Sequence, residues 1–142
     1  MILDKQSLFS DKQAITVTAA STNQIDLGAT GTPVSGVSAL KSDLGISDVP
    51  LLIQVTETFA TLTSLKVGVQ VDNDVSFGSP KTVVESPAVA AADLKAGYKF
   101  PIVWVPRGTD ERYLRLYYTV AGSDATAGKI TAGITTGVDA HV

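Results

Sequence analysis

Residues 64–71 read SLKVGVQV. In an extended chain Leu65, Val67, Val69 and Val71 fall on one side and Ser64, Lys66, Gly68 and Gln70 on the other. Successive strand side chains point to opposite faces. The stretch therefore predicts an antiparallel strand with one face in a core and the other in water. The same alternation extends outward. Residues 50–59 (PLLIQVTETF) set Leu51, Ile53 and Val55 on one face. Residues 112–120 (RYLRLYYTV) set Leu114, Leu116, Tyr118 and Val120 against Tyr113, Arg115 and Tyr117. Residues 129–138 (KITAGITTGV) set Ile130, Ala132, Ile134, Thr136 and Val138 against small or polar residues. Shorter strands are expected at 14–18 (AITVT), 24–27 (QIDL) and 81–85 (KTVVE). Residues 98–105 (YKFPIVWV) carry Phe100, Ile102 and Trp104 on one side. Pro101 has no N–H to give a ladder, which makes this stretch an edge strand or a bulge.

Turn chemistry separates these runs at 72–74 (DND), 79–80 (SP), 106–108 (PRG) and 121–124 (AGSD). Only residues 88–96 (AVAAADLKA) suit a helix, of one or two turns, before Gly97 stops it. Residues 29–49 are rich in Gly, Ser, Thr and Asp and read as a long loop. Seven or eight strands with almost no helix give an all-β fold, an antiparallel β-sandwich closing two apolar faces on each other. A jelly roll and an immunoglobulin-like sandwich both fit the periodicity, and no boundary divides residues 1–142 into more than one domain.

The chain has 142 residues, enough for one core without staples, and it contains no cysteine for a disulfide or thiolate metal site. Its net charge is -3, with 11 Lys and Arg against 14 Asp and Glu, where a nucleic-acid binder needs a basic stripe. No apolar run approaches a membrane span, and the opening MILDKQSLFSDKQ is too charged for a signal peptide. Synthesis in a cytoplasm, and use there or in something assembled there, is the expectation. Only 18% of residues are charged, which fits either a surface covered by a partner or a β-rich Ala, Val and Thr composition.

Catalytic constellations are poorly supplied. The one histidine, His141, adjoins the C-terminus, where a rigid triad is unexpected. No phosphate-binding glycine motif is present, and no cofactor is expected. Asp72 and Asp74 open a D-x-D-x-S pattern, but a calcium loop needs Gly and Glu where Phe77 and Val83 stand, so a polar hairpin turn is expected. Asp110 and Glu111 are adjacent acids that point apart in a strand and cannot flank one bond; with Arg107 and Arg112 beside them, surface ion pairs are the better reading.

The strings MILDKQSLFSDKQAITVTAASTNQIDLG, DVPLLIQVTETF, DLKAGYKFPIVWVPRGTDERYLRLYYTVAG and AGKITAGITTGV together resemble the capsid cement, or decoration, proteins of short-tailed-type bacteriophages. The resemblance is weakest over residues 29–47 and 61–79. It implies a small jelly-roll protein on the outer surface of a head built from an HK97-like major capsid protein. It also implies a symmetric homo-oligomer that clamps neighbouring capsomers. A dimer is expected over a trimer because dimers are the commonest closed assemblies. The resemblance transfers no catalytic, cofactor-binding or metal-binding residue.

Three regions supply interface candidates. The arm 1–10 carries Ile2, Leu3, Leu8 and Phe9, too apolar for a solvated tail, and reads either as a capsid-binding arm or as a strand on its own sandwich. The loop 29–49 could reach a neighbour. The loop 106–112 offers Arg107 and Arg112, planar cations suited to carboxylates. Trp104, and Tyr113 and Tyr117 flanking Arg115, read as interface anchors or sugar-stacking platforms; the blander readings are rim packing for Trp104 and a face buried under a loop for the tyrosines. The alternative function is a carbohydrate-binding jelly roll of a tail or host-recognition structure. A third, enzymatic reading would require Asp110 or Glu111, Asp72 or Asp74, and His141 to converge in one cleft.

Overall fold

The computed structural model describes residues 3–28, 44 and 47–137. It is all-β and antiparallel, with seven strands: β1 (Leu3–Ala14), β2 (Ala19–Ala20), β3 (Ile25–Asp26), β4 (Leu51–Asp72), β5 (Lys81–Glu85), β6 (Val89–Ala90) and β7 (Tyr113–Thr135). The main path runs β1-β7-β4-β5. β2 and β3 also pair with β7, and β6 with β4.

The frame is one long ribbon. β4 and β7, of 22 and 23 residues, pair from Leu51↔Ile134 to Asp72↔Tyr113. The two runs expected at 50–59 and 64–71 are one strand, and so are those at 112–120 and 129–138. The turn expected at 121–124 lies within β7, where Gly122 pairs with Leu62. Its turn chemistry is expressed as a bulge: residues 123–126 have no partner on β4 between the pairs Leu62↔Gly122 and Ala60↔Ala127, and the β4/β7 pairing resumes on either side. Between Val55 and Ser64 the register slips repeatedly, yet Val55↔Ile130 and Leu65↔Val120 keep the same phase. Leu51, Ile53, Val55, Leu65, Val67, Val69 and Val71 thus share one face. With Leu114, Leu116, Tyr118, Ile130 and Ala132 they join a single buried cluster. The ribbon folds over this apolar face, and its halves become the two layers of the sandwich.

The bend gathers unusual backbone, two glycines that accept it and one β-branched residue that is strained by it. Gly122 and Gly128 have φ of 83° and 132°, and Thr61 opposite them has φ 81°. A Cβ on Gly128 would lie 2.2 Å from the Phe59 ring, so only glycine admits that ring. A buried bond of 2.7 Å between the Ser10 and Tyr118 hydroxyls ties β1, on one half, to β7 in the other.

The flanks correct several expectations. Residues 3–10 are not an arm: they belong to β1, paired with β7 through Leu3↔Thr135 and Leu8↔Gly133, and Phe9 is 1% exposed in the core. Ile2 lies outside the described residues. The strand expected at 14–18 is instead the end of β1 and a bend. Ile15 is buried there and donates to Gly128 O, while Thr16 O accepts from Ala125 N. No helix forms at 88–96: Val89–Ala90 pairs with β4, and turn bonds from Asp93 N to Ala90 O and Leu94 N to Ala91 O follow. Leu94, fully buried, anchors that turn, and a helix would pull it from the core. Residues 98–105 follow the edge of β4 irregularly, through Phe100 N to Ile53 O, Leu51 N to Val103 O and Val105 N to Val49 O. This is the bulged edge that Pro101 demands. Of the expected loop 29–49, residues 29–43, 45 and 46 lie outside the described residues, and Leu44 packs against the core.

Candidate functional site

Two places on the sandwich gather the sequence candidates. The first is one end of the layer containing β1. Leu3 pairs with Thr135, Thr135 N donates to Pro50 O at 3.1 Å, and Pro50 bridges Trp104. Directly paired residues on neighbouring strands share a face. Leu3 and Trp104, far apart in sequence, therefore end in one row, in which Thr135 is buried, Leu3 and Pro50 are half-buried and Trp104 is exposed. Trp104 does not share a side with Phe100 and Ile102, which are buried; the alternation slips at Val103, and both Val103 and Trp104 are exposed, Trp104 by 52%. Arg107 flanks this end and pairs with Asp48 at 3.4 Å.

The second place is the outer face of the other layer, where Tyr113, Arg115 and Tyr117 lie opposite Asp72, Gln70 and Gly68. The sequence predicts a wet face here. Gln70 is instead only 8% exposed, because residues 73–79 fold back across the sheet. Two carboxylates hold that loop. Asp72 accepts from Asp74 N and Ser79 N, and Asp74 accepts from Ser76 N and Oγ. These hydrogen bonds to the charged form hold both carboxyls below their ordinary pKa. Asn73 Oδ1 accepts from Arg112 N, and Gln24 Nε2 donates to Val75 O, which fastens the loop on the far side of β7. The acidic pair is thus the polar turn expected from its sequence. Among the described residues no group of three or more His, Asp or Glu side chains is placed to hold a metal ion.

Phe77 hangs from this loop, buried, with φ 53°. A bulky residue held there stores about 1–3 kcal/mol of backbone strain. Its ring lies 4.0 Å from the Arg115 guanidinium, and the Tyr117 ring lies 5.7 Å away on the same cation. Arg115 Nε donates to Gln70 Oε1 at 2.9 Å. Burial pulls the Arg115 pKa down from its ordinary value. Tyr113 and Tyr117 are both half-buried on this face. Phe77 was not a candidate; its one signal was an aromatic residue inside an otherwise polar turn.

The loop 106–112 does not present two free cations. Arg112 makes a bidentate pair with Asp26 at 2.8 Å through both Nε and Nη2, and lies 5.1 Å over the Tyr113 ring. That pairing lowers the Asp26 pKa to about 2 and raises that of Arg112. Glu111 is buried and pairs with Lys81 of β5, raising the lysine's pKa. Asp110 is exposed with φ 53°. The two adjacent acids thus face different surroundings, and His141 lies outside the described residues. A shallow groove lined by Lys5, Leu8, Phe9, Ser10, Asp11, Thr22 and Asn23 runs beside β1 and contains none of the other candidates.

Fold and surface together define an antiparallel β-sandwich protein whose aromatic and cationic residues collect on its outer faces. The family model Bbp16 matches residues 9–134, and the chain belongs to the Bbp16 family. No curated protein matches it.

Proposed function

We propose that the protein is a structural cement, or decoration, protein of a bacteriophage head. In this reading it is made in the bacterial cytoplasm and binds the outer surface of an HK97-like shell as a homo-oligomer, joining neighbouring capsomers. The observation that carries the reading is the row ending in Trp104. An exposed tryptophan next to an exposed valine, with the Arg107–Asp48 pair three residues on, has the make-up of an interface anchor. The resemblance of the sequence to cement proteins supports it along nearly the whole chain.

The mechanism is mass action. A protein that binds the assembled shell and not its separated subunits stabilises each site by RT ln(1 + [L]/Kd), and a shell repeats that site many times. The ribbon suits the task because both layers are continuous through two long strands, so a pull at one face is carried by the ladder. Co-sedimentation with mature and immature phage heads tests the proposal, and electron microscopy of virions would locate the density. Sedimentation of heads without the folded protein would end it.

The exposure of Trp104 also favours a second reading, a carbohydrate-binding module using that ring as a stacking platform. Specific retention of a glycan on an array, abolished by Trp104→Ala, would select it.

A further inference from the structure

Arg107 and Arg112 each pair with a carboxylate. Arg115, the third arginine, makes no ion pair within the described residues. It is nonetheless partly desolvated, and its position is set from three sides by Gln70, Phe77 and Tyr117. Taking a cation from water with no carboxylate in direct contact is unfavourable. Holding it there with a residue in left-handed backbone adds strain. The Nε edge is occupied by Gln70, which leaves the two terminal nitrogens. Among the described residues no fully buried polar side-chain atom lacks a partner, so those nitrogens are not sealed from solvent. Asp72, whose charge reaches Arg115, has its oxygens turned to the backbone N–H groups of Asp74 and Ser79. Val75, 59% exposed on the same loop, adds an apolar lip.

We propose that the Arg115 guanidinium, set between Phe77 and Tyr117, is a docking point for an exposed carboxylate on an acidic, partly apolar segment of a partner protein. A planar fork with its terminal edge open takes a carboxylate in two parallel hydrogen bonds, and the flanking rings already fix its orientation. The inference deepens the structural-binding reading by naming what one face of the sandwich grips.

The test is a titration of the full ¹³C,¹⁵N-labelled chain with the blocked tripeptide acetyl-Glu-Val-Glu-amide, followed by NMR at the Arg115 Nε–H and at the Phe77 and Tyr117 rings. Saturable shifts at these three groups are expected in the wild type; in Arg115→Lys, which keeps the charge and loses the fork, the shifts at the two rings should be weakened about tenfold. The Lys-Val-Lys counterpart should give none. If Arg115→Lys loses its amide dispersion, Phe77→Leu takes its place and is expected to weaken the shifts at the Arg115 Nε–H and the Tyr117 ring. Shifts absent from Arg115, or unchanged in a folded variant, would overturn the proposal and leave Arg115 as a support for the loop. Equal shifts with inorganic phosphate at the same concentration would also overturn it, marking a small-anion site. Failure of the wild-type protein to decorate heads would remove the capsid reading while the titration still decides this one.

Discussion

Gly128 lies against the ring of Phe59, and a Cβ at 128 would stand 2.2 Å from that ring. The contact sits in the bend where the β4/β7 ribbon turns over, and it explains why two strands of more than twenty residues can form both layers. Gly128→Ala should cost about 2 kcal/mol or more, because the ring must move and the backbone is held at φ 132°. Gly97, with φ 98°, has open space around it, so Gly97→Ala should cost only about 1 kcal/mol of backbone strain. Urea denaturation of the two variants gives the comparison, and equal losses would remove the ring contact from the account.

The Ser10–Tyr118 bond predicts an asymmetry. Tyr118 is wholly buried and its hydroxyl bonds only Ser10, whereas Ser10 Oγ also bonds Gln13 Oε1 at 2.6 Å. Burial raises the Tyr118 pKa, so the phenol stays neutral. Ser10→Ala orphans the phenol and should cost about 1–3 kcal/mol; Tyr118→Phe removes both needs at once and should cost less. The reverse order in equilibrium unfolding would contradict this arrangement.

Acid stability should follow the lowered carboxyl groups. The Asp26 pKa falls from 3.8 to about 2 through its bond to Arg112, and those of Asp72, Asp74 and Glu57 are also lowered. A folded pKa below the unfolded one contributes stability that is fully present above the unfolded value and lost as pH falls through the folded value. The melting temperature should therefore drop between about pH 4 and pH 2. Asp26→Asn should be less stable at neutral pH and should flatten part of that slope. An unchanged acid limb would mean that the Asp26–Arg112 pair does not persist in solution.

Phe9 and Trp104, both interface candidates from sequence, should separate in experiment. Phe9→Ala empties a core site and should cost about 3–5 kcal/mol, so deletion of residues 1–9 is expected to unfold the chain rather than merely blunt its binding. Trp104→Ala, at an exposed position, should leave the melting curve almost unchanged and reduce sedimentation with phage heads. A Trp104 variant that decorates heads as well as wild type would move the anchor elsewhere.

The outer-face cluster shows where local reading stops. Tyr113, Arg115 and Tyr117 were legible as one strand face because alternation alone aligns them. Phe77 was not, because its role depends on a loop crossing the sheet, which no local propensity encodes. Arg112 likewise read as a partner for the acids beside it or for a carboxylate on a neighbour, and Asp26, eighty-six positions away, holds it instead.

The alternation in residues 50–59, 64–71, 112–120 and 129–138 was enough by itself to determine an all-β chain and the inward face of each run, since period two fixes side-chain direction residue by residue. Pro101 likewise placed its segment at an edge, because a missing N–H is a covalent fact. Only the tertiary structure decided that the AGSD stretch is a bulge and not a turn, that residues 3–10 belong to β1, and that Leu3 and Trp104 end in one row. Each of those outcomes depends on hydrogen bonds to a partner strand far away in sequence, and a ladder with many bonds overrides the preference of a few residues.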